Sequence, residues 1–291
     1  MQLDLFTHSR DIMLQNDGIA ALRKRDALAA RQALAAFAAE YPRHEMLPPL
    51  TTLLHTLTTP VAPAERFADQ PCAAAAVQTM AAVVAPAAHR VFGDKAAAAW
   101  LAPLWLSLVD AAAALPWNAA SPETHTGYLR LQGGDWAGAE AAVTGIASWR
   151  RMAAPLGWMA EARFCQGGLE AAWRLLAELA WLDAGAFDAL ARRLDAPSLQ
   201  RLLHQFDTRF DDDTTAGRAW FPAWLLIAQP AMAAILRETQ PGRRQPPEQT
   251  ARLIMEILTL EKQGRHAELV AHRKRLRDAH AGLYAFYLSS R

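Results

Sequence analysis

The chain has 291 residues, 30 Lys and Arg against 29 Asp and Glu, and a formal charge of +1. That balance excludes bulk electrostatic attraction to nucleic acid or to an anionic membrane. Its two cysteines, Cys72 and Cys165, are far apart in apolar surroundings. They exclude a disulfide framework or a cysteine metal site and read as buried free thiols of a reducing compartment.

Alanine is abundant, with runs at 73–76 and 96–99, and β-branched residues are scarce. This composition favours helix, and no alternating strand pattern bounded by hairpin turns interrupts it. The expected fold class is all-α. Residues 1–7 are expected to be a linear motif or tail, because Thr7 and Ser9 are both suitable N-caps for the first helix. The alternative places Leu3, Leu5 and Phe6 inside that helix or against the second one. Residues 8–42 read as a helical hairpin, with Ile12, Met13, Ile19 and Leu22 on one face and Gly18 at a close helix approach. Arg25 and Asp26 mark the turn, and Tyr41-Pro42 stops the second helix.

Residues 43–71 carry prolines at 48, 49, 60, 63 and 71. They read as a proline-rich linker holding one short helix near 47–57. The body, 72–291, begins with helices at 72–86 and 95–114. The apolar run 96–115 approaches membrane-spanning length, but Pro103, Asp110 and its many alanines favour a buried helix. Two hairpins are expected at 121–150 and 155–182, each with a glycine pair at its turn, and a poorer one at 184–209. Asp211, Asp212 and Asp213 read as a solvated loop and helix cap in preference to a metal site. A final hairpin occupies 247–289, turning at Gly264 and ending in a capping helix.

The sequence carries no recognisable catalytic signature. Gly133-Gly134 lacks the Gly-Lys-Ser/Thr of a phosphate loop, no GxSxG elbow occurs, and the nine histidines form no metal pattern. Cys165 sits in an apolar helix, a poor place for a nucleophile. Trp100, Trp105, Trp149, Trp158, Trp173 and Trp181 stand at helical spacing and read as core filling between alanines. The expectation is a soluble, cytoplasmic protein that is not an enzyme and needs no cofactor or metal. An enzyme whose site only the fold would reveal is the remote alternative. After position 236, eleven basic residues face six acidic ones. Arg265, Arg273, Lys274, Arg275 and Arg277 form a modest basic patch, either an ordinary solvated face or a contact for DNA or an acidic partner.

Two resemblances add to this reading. The run Gln2, Leu3, Asp4, Leu5, Phe6 resembles, position for position, the peptide by which bacterial replication and repair proteins dock on the DNA polymerase sliding clamp. The resemblance implies that Leu3, Leu5 and Phe6 are apolar anchors and that Gln2 fixes register by its amide. The hairpins resemble tetratricopeptide repeats. Gly18, Ala30 and Pro42 stand twelve residues apart, and the glycine pairs at 133 and 167 stand 34 apart, that family's period. This second resemblance implies a right-handed solenoid that binds another protein or a peptide. Together they suggest a non-enzymatic adaptor on the clamp. The alternative is an interaction scaffold unrelated to it.

Overall fold

The computed structural model describes residues 3–63, 65–210, 215–242 and 245–291, with side chains from Arg10 onward and outside 215–216. Every regular element among the described residues is helical. The chain forms two compact units, Met1–Asp135 and Trp136–Arg291.

In the first unit, α1 (Leu3–Arg23) and α2 (Ala27–Glu40) form the expected hairpin. Arg25 takes a left-handed conformation at the turn (φ 57°), and Asp26 caps α2 by accepting the Ala29 N–H at 2.9 Å. Gly18 faces α2 so closely that a Cβ there would lie 3.0 Å from Leu34 Cδ2. The first helix starts at Leu3 and not after Thr7 or Ser9, so Leu3, Asp4, Leu5 and Phe6 have helical backbone.

The proline-rich stretch is not a linker between compact bodies. Its helix α3 (Leu47–Thr58) buries Leu50 and Leu53 completely. Pro48 and Pro49 sit in the first turn, where a missing N–H costs nothing, so they start this helix instead of breaking it. The segment after it is tied down as well. Phe67 N–H donates to Ala111 O at 3.0 Å, and Gln70 Nε2 donates to Pro116 O at 2.9 Å.

Next come α4 (Gln70–Thr79), a π-helical turn (Met80–Val84), α5 (Ala85–Phe92), α6 (Asp94–Ala112) and α7 (Thr126–Gln132). The π turn precedes Pro86, which has no N–H for the preceding turn, and Ala85 N–H reaches back five residues to Met80 O. Trp100 on α6 anchors the first hairpin. Its indole N–H donates to Leu22 O at 2.9 Å, and the Arg25 guanidinium lies 4.9 Å over its ring. The core holds Leu22, Phe37, Leu50, Leu53, Met80 and Leu108, each fully buried and each worth about 1.5–3 kcal/mol of burial.

In the second unit, α8 (Trp136–Thr144) leads to a 3-10 turn (Trp149–Arg151) and α9 (Ala153–Leu182). The latter is two helices broken at Gly168, whose backbone (φ 69°, ψ −166°) lies where essentially only glycine goes. A Cβ on Gly157 would lie 3.8 Å from Leu179 Cδ2. In a straight helix these residues would stand roughly 33 Å apart. The halves therefore fold back as the hairpin expected at 155–182. In the stretch where a hairpin is expected at 121–150, α7 and α8 fall on either side of the division between the two units.

The remaining elements are α10 (Ala184–Arg193), α11 (Pro197–Arg209), a 3-10 turn (Thr215–Trp220), α12 (Phe221–Ala228), α13 (Ala233–Leu236), α14 (Pro246–Lys262), α15 (His266–Ala279) and α16 (Ala281–Ser289). An aromatic cluster of Phe206, Phe221, Trp224 and Phe286 joins α11, α12 and α16, with ring centroids 5.7–5.9 Å apart. Arg218 pins the 3-10 turn by meeting Asp188 at 2.8 Å and also Asp207. Of the six tryptophans expected to fill the core, five are buried, and Trp149 is half-buried beneath the Arg150 guanidinium.

Candidate functional site

The candidate partner-binding residues divide at the limit of description. Gln2 lies outside the described residues, as do the side chains of Leu3, Asp4, Leu5 and Phe6. Their backbone opens α1. Further along the same helix, Ile12 and Met13 are 55% and 64% exposed, so α1 presents apolar groups outward as well as toward α2. Docking as an extended peptide requires the first turn or so of α1 to unwind. Helix ends fray readily, because their first N–H groups have no partner within the helix.

A groove of about 1220 Å³ runs along the first unit between α3 and the α4–π stretch. Both helices turn small side chains to it. Pro48, Thr51, His55 and Thr59 come from the first at spacings of three and four, with Cys72, Ala75, Thr79 and Val83 from the second. On α3 the groove-facing side follows the helical period, since Leu50 and Leu53 point the opposite way into the core. Phe67 and Val61 also line the groove, and so do Arg43, Glu45 and Arg66. The Thr56 and Thr79 hydroxyls are spent on Thr52 O and Ala75 O, at 2.9 and 2.8 Å. The groove therefore offers shape and apolar area more than free hydrogen-bonding groups. The sequence carries a signal for it: Thr51, His55 and Thr59 recur every four residues along a leucine-rich helix and its C-cap.

The α4–π–α5 stretch on this wall, Gln70–Phe92, is long and apolar enough to cross a membrane, with 39% of its most apolar window buried. The bent pair Gly217–Ala228 and Pro230–Leu236 passes the same test if taken as one span.

The basic group on α15 is divided by its partners. Arg265 meets Glu268 at 2.5 Å, and Arg277 meets Asp278 at 3.2 Å. Arg273 turns inward, donating to Tyr287 Oη at 2.8 Å and to Glu261 at 3.2 Å. Tyr287 also donates to Glu261, and Arg291 reaches the same carboxylate at 3.2 Å. Burial raises the Tyr287 phenol above its usual pKa, and its bond to Glu261 adds to the shift. Burial alone would lower Arg273, but its bonds to Tyr287 and Glu261 outweigh it and raise the guanidinium. Lys274 and Arg275 are exposed. The network ties α14, α15 and α16 together.

Both cysteines are exposed, contrary to the expectation of buried thiols. Cys72 stands in the first turn of α4, and Cys165 lies three residues before the α9 turn at Gly168, so apolar neighbours in sequence did not mean burial. A hydrogen bond to Asp69 raises the Cys72 thiol. Desolvation and the Glu161 charge raise Cys165. Neither is the low-pKa thiolate that a nucleophile requires. Asp211, Asp212 and Asp213 lie outside the described residues. Among the described residues, no three His, Cys, Asp or Glu side chains converge as a metal site.

The chain matches no known family model, no curated protein and no solved structure. What it does must be argued from these groups alone.

Proposed function

We propose that the protein is an adaptor that docks on the bacterial DNA polymerase sliding clamp through Gln2, Leu3, Asp4, Leu5 and Phe6. Its helical body then holds a second protein of replication or repair. The pentapeptide carries this reading. Three apolar anchors supply about 1.5–3 kcal/mol each when buried, and ordering the peptide and unwinding the start of α1 offset part of that gain. The expected affinity is on the order of micromolar, about −8 kcal/mol.

The body suits a scaffold of hairpins. Gly134 and Gly168 both take positive φ, stand 34 residues apart, and mark turns where tetratricopeptide hairpins place a glycine. A right-handed solenoid is the arrangement this spacing favours. Titration of purified clamp with the full chain and with a Leu5→Ala/Phe6→Ala variant tests the proposal. The variant is expected to bind at least tenfold more weakly, and indistinguishable curves would end the clamp reading.

The groove between α3 and α4 favours a second reading, a peptide-binding scaffold unrelated to the clamp. Under it, clamp binding is absent and a groove-filling Thr79→Arg change abolishes peptide capture. The double variant at Leu5 and Phe6 then leaves capture intact.

A further inference from the structure

The second unit contains a smaller cleft of about 530 Å³ between the turn Trp149–Arg151, the end of α9 and residues 240–242. That is the size of ordinary small-molecule sites, which span roughly 300–1,000 Å³. Charge holds its walls in place. Glu178 is 7% exposed, receives Arg150 Nη1 at 2.5 Å and accepts the Gln240 N–H at 2.9 Å. Glu248 is 1% exposed and accepts the Gly242 N–H at 3.0 Å and Arg252 Nη2 at 2.9 Å. Arg252 also donates to Gln240 O at 3.3 Å.

Two buried carboxylates thus grip one short segment by its N–H groups, each neutralised by its own arginine. Buried ion pairs add little net stability over apolar packing. What this arrangement provides is a rigid polar frame around a cavity. Arg151 also lines the cleft, is exposed, and has no ion-pair partner among the described residues. Arg150 and Glu178 cancel, so among the described residues Arg151 leaves the lining one positive charge. Trp181, Leu182 and Pro241 supply apolar surface.

We infer that this cleft binds a small organic monoanion, with its carboxylate on Arg151 and its carbon frame against Trp181 and Pro241. The planar guanidinium matches a carboxylate in bidentate fashion. A cation is disfavoured here, because Arg150 already neutralises Glu178 and Arg151 adds a positive charge. A polyanion such as a nucleoside triphosphate would meet only one uncompensated arginine among the described residues.

The test uses the full chain and two isosteric probes, 4-fluorobenzoate and neutral 4-fluorobenzamide, followed by fluorine NMR line broadening at constant ionic strength. Benzoate is expected to bind at least tenfold more tightly than benzamide. Arg151→Gln is expected to remove that preference, and Arg151→Lys to restore part of it. Arg275→Gln, an exposed change on α15, should leave it intact. Equal binding of the two probes overturns the inference, as does no binding of benzoate at tens of millimolar. An Arg151→Gln protein that keeps the preference overturns it too. The probe comparison needs no variant, so a folding defect in Arg151→Gln does not shield the inference.

Discussion

Glu178 offers the most direct measure of how the second unit is held. Its side chain is 6% exposed, and its two oxygens serve different donors, Arg150 Nη1 at 2.5 Å and the Gln240 N–H at 2.9 Å. Glu178→Ala removes both. Breaking a buried ion pair costs about 3–5 kcal/mol, and leaving a buried N–H unpaired accounts for about 1–3 kcal/mol of such a loss. Arg150 keeps 22% of its side chain in contact with water, so it recovers some solvation and the expected loss is near the lower end, about 3 kcal/mol. Glu178→Gln keeps an acceptor for Gln240 and loses only the charge, for about 1.5 kcal/mol. The double variant Arg150→Met/Glu178→Ala should lose less than the sum of its parts, because it leaves no orphaned cation. Urea unfolding followed by circular dichroism and tryptophan fluorescence reads the effect, and 3 kcal/mol moves the midpoint by roughly 1–2 M. A Glu178→Ala protein within about 1 kcal/mol of the parent would refute the reasoning. So would a Glu178→Gln protein as damaged as Glu178→Ala.

Other changes test other parts of the molecule. Gly168→Ala forces a side chain into a backbone region nearly closed to it and should cost about 1–3 kcal/mol in the same unfolding measurement. His125 caps α7 by accepting the Gly127 N–H at Nδ1, 3.1 Å away, and burial lowers its pKa below the usual 6.5. The fold favours the neutral ring, so this contribution is complete above pH 6.5 and is lost as pH falls below it. His125→Asn, which caps without titrating, should flatten that part of the stability–pH curve. Both thiols should react with a disulfide reagent in the folded protein. Asp69→Asn keeps the cap on α4, weakens the hydrogen bond and removes the charge that together raise Cys72, and should speed that one reaction at pH 8.

The helices were legible because their apolar residues recur at helical spacing and their ends carry recognisable stops. Asp26, Pro197 and Gly264 punctuate the chain where the sequence places them. The proline-rich stretch misled because proline breaks a helix interior but suits a first turn, and only tertiary contact shows that Leu50 and Leu53 are core residues. The cysteines misled for a related reason: small apolar neighbours such as Ala73 and Ala74 say little about which face of a helix looks outward. The cleft was beyond sequence reasoning. Glu178 and Gln240 stand 62 positions apart, and no local pattern announces that they meet.

The fold-back at Gly168 bears on how the chain acquires its structure. Gly157 and Leu179 meet across a bend only 22 residues around, as partners in the α1–α2 and α14–α15 pairs also do at short range. Loops this short close at little entropic expense. Each pair can thus assemble soon after it leaves the ribosome, without waiting for distant segments. Both compact units are contiguous stretches of sequence, so the internal contacts of the earlier one can form while the later one is still being translated.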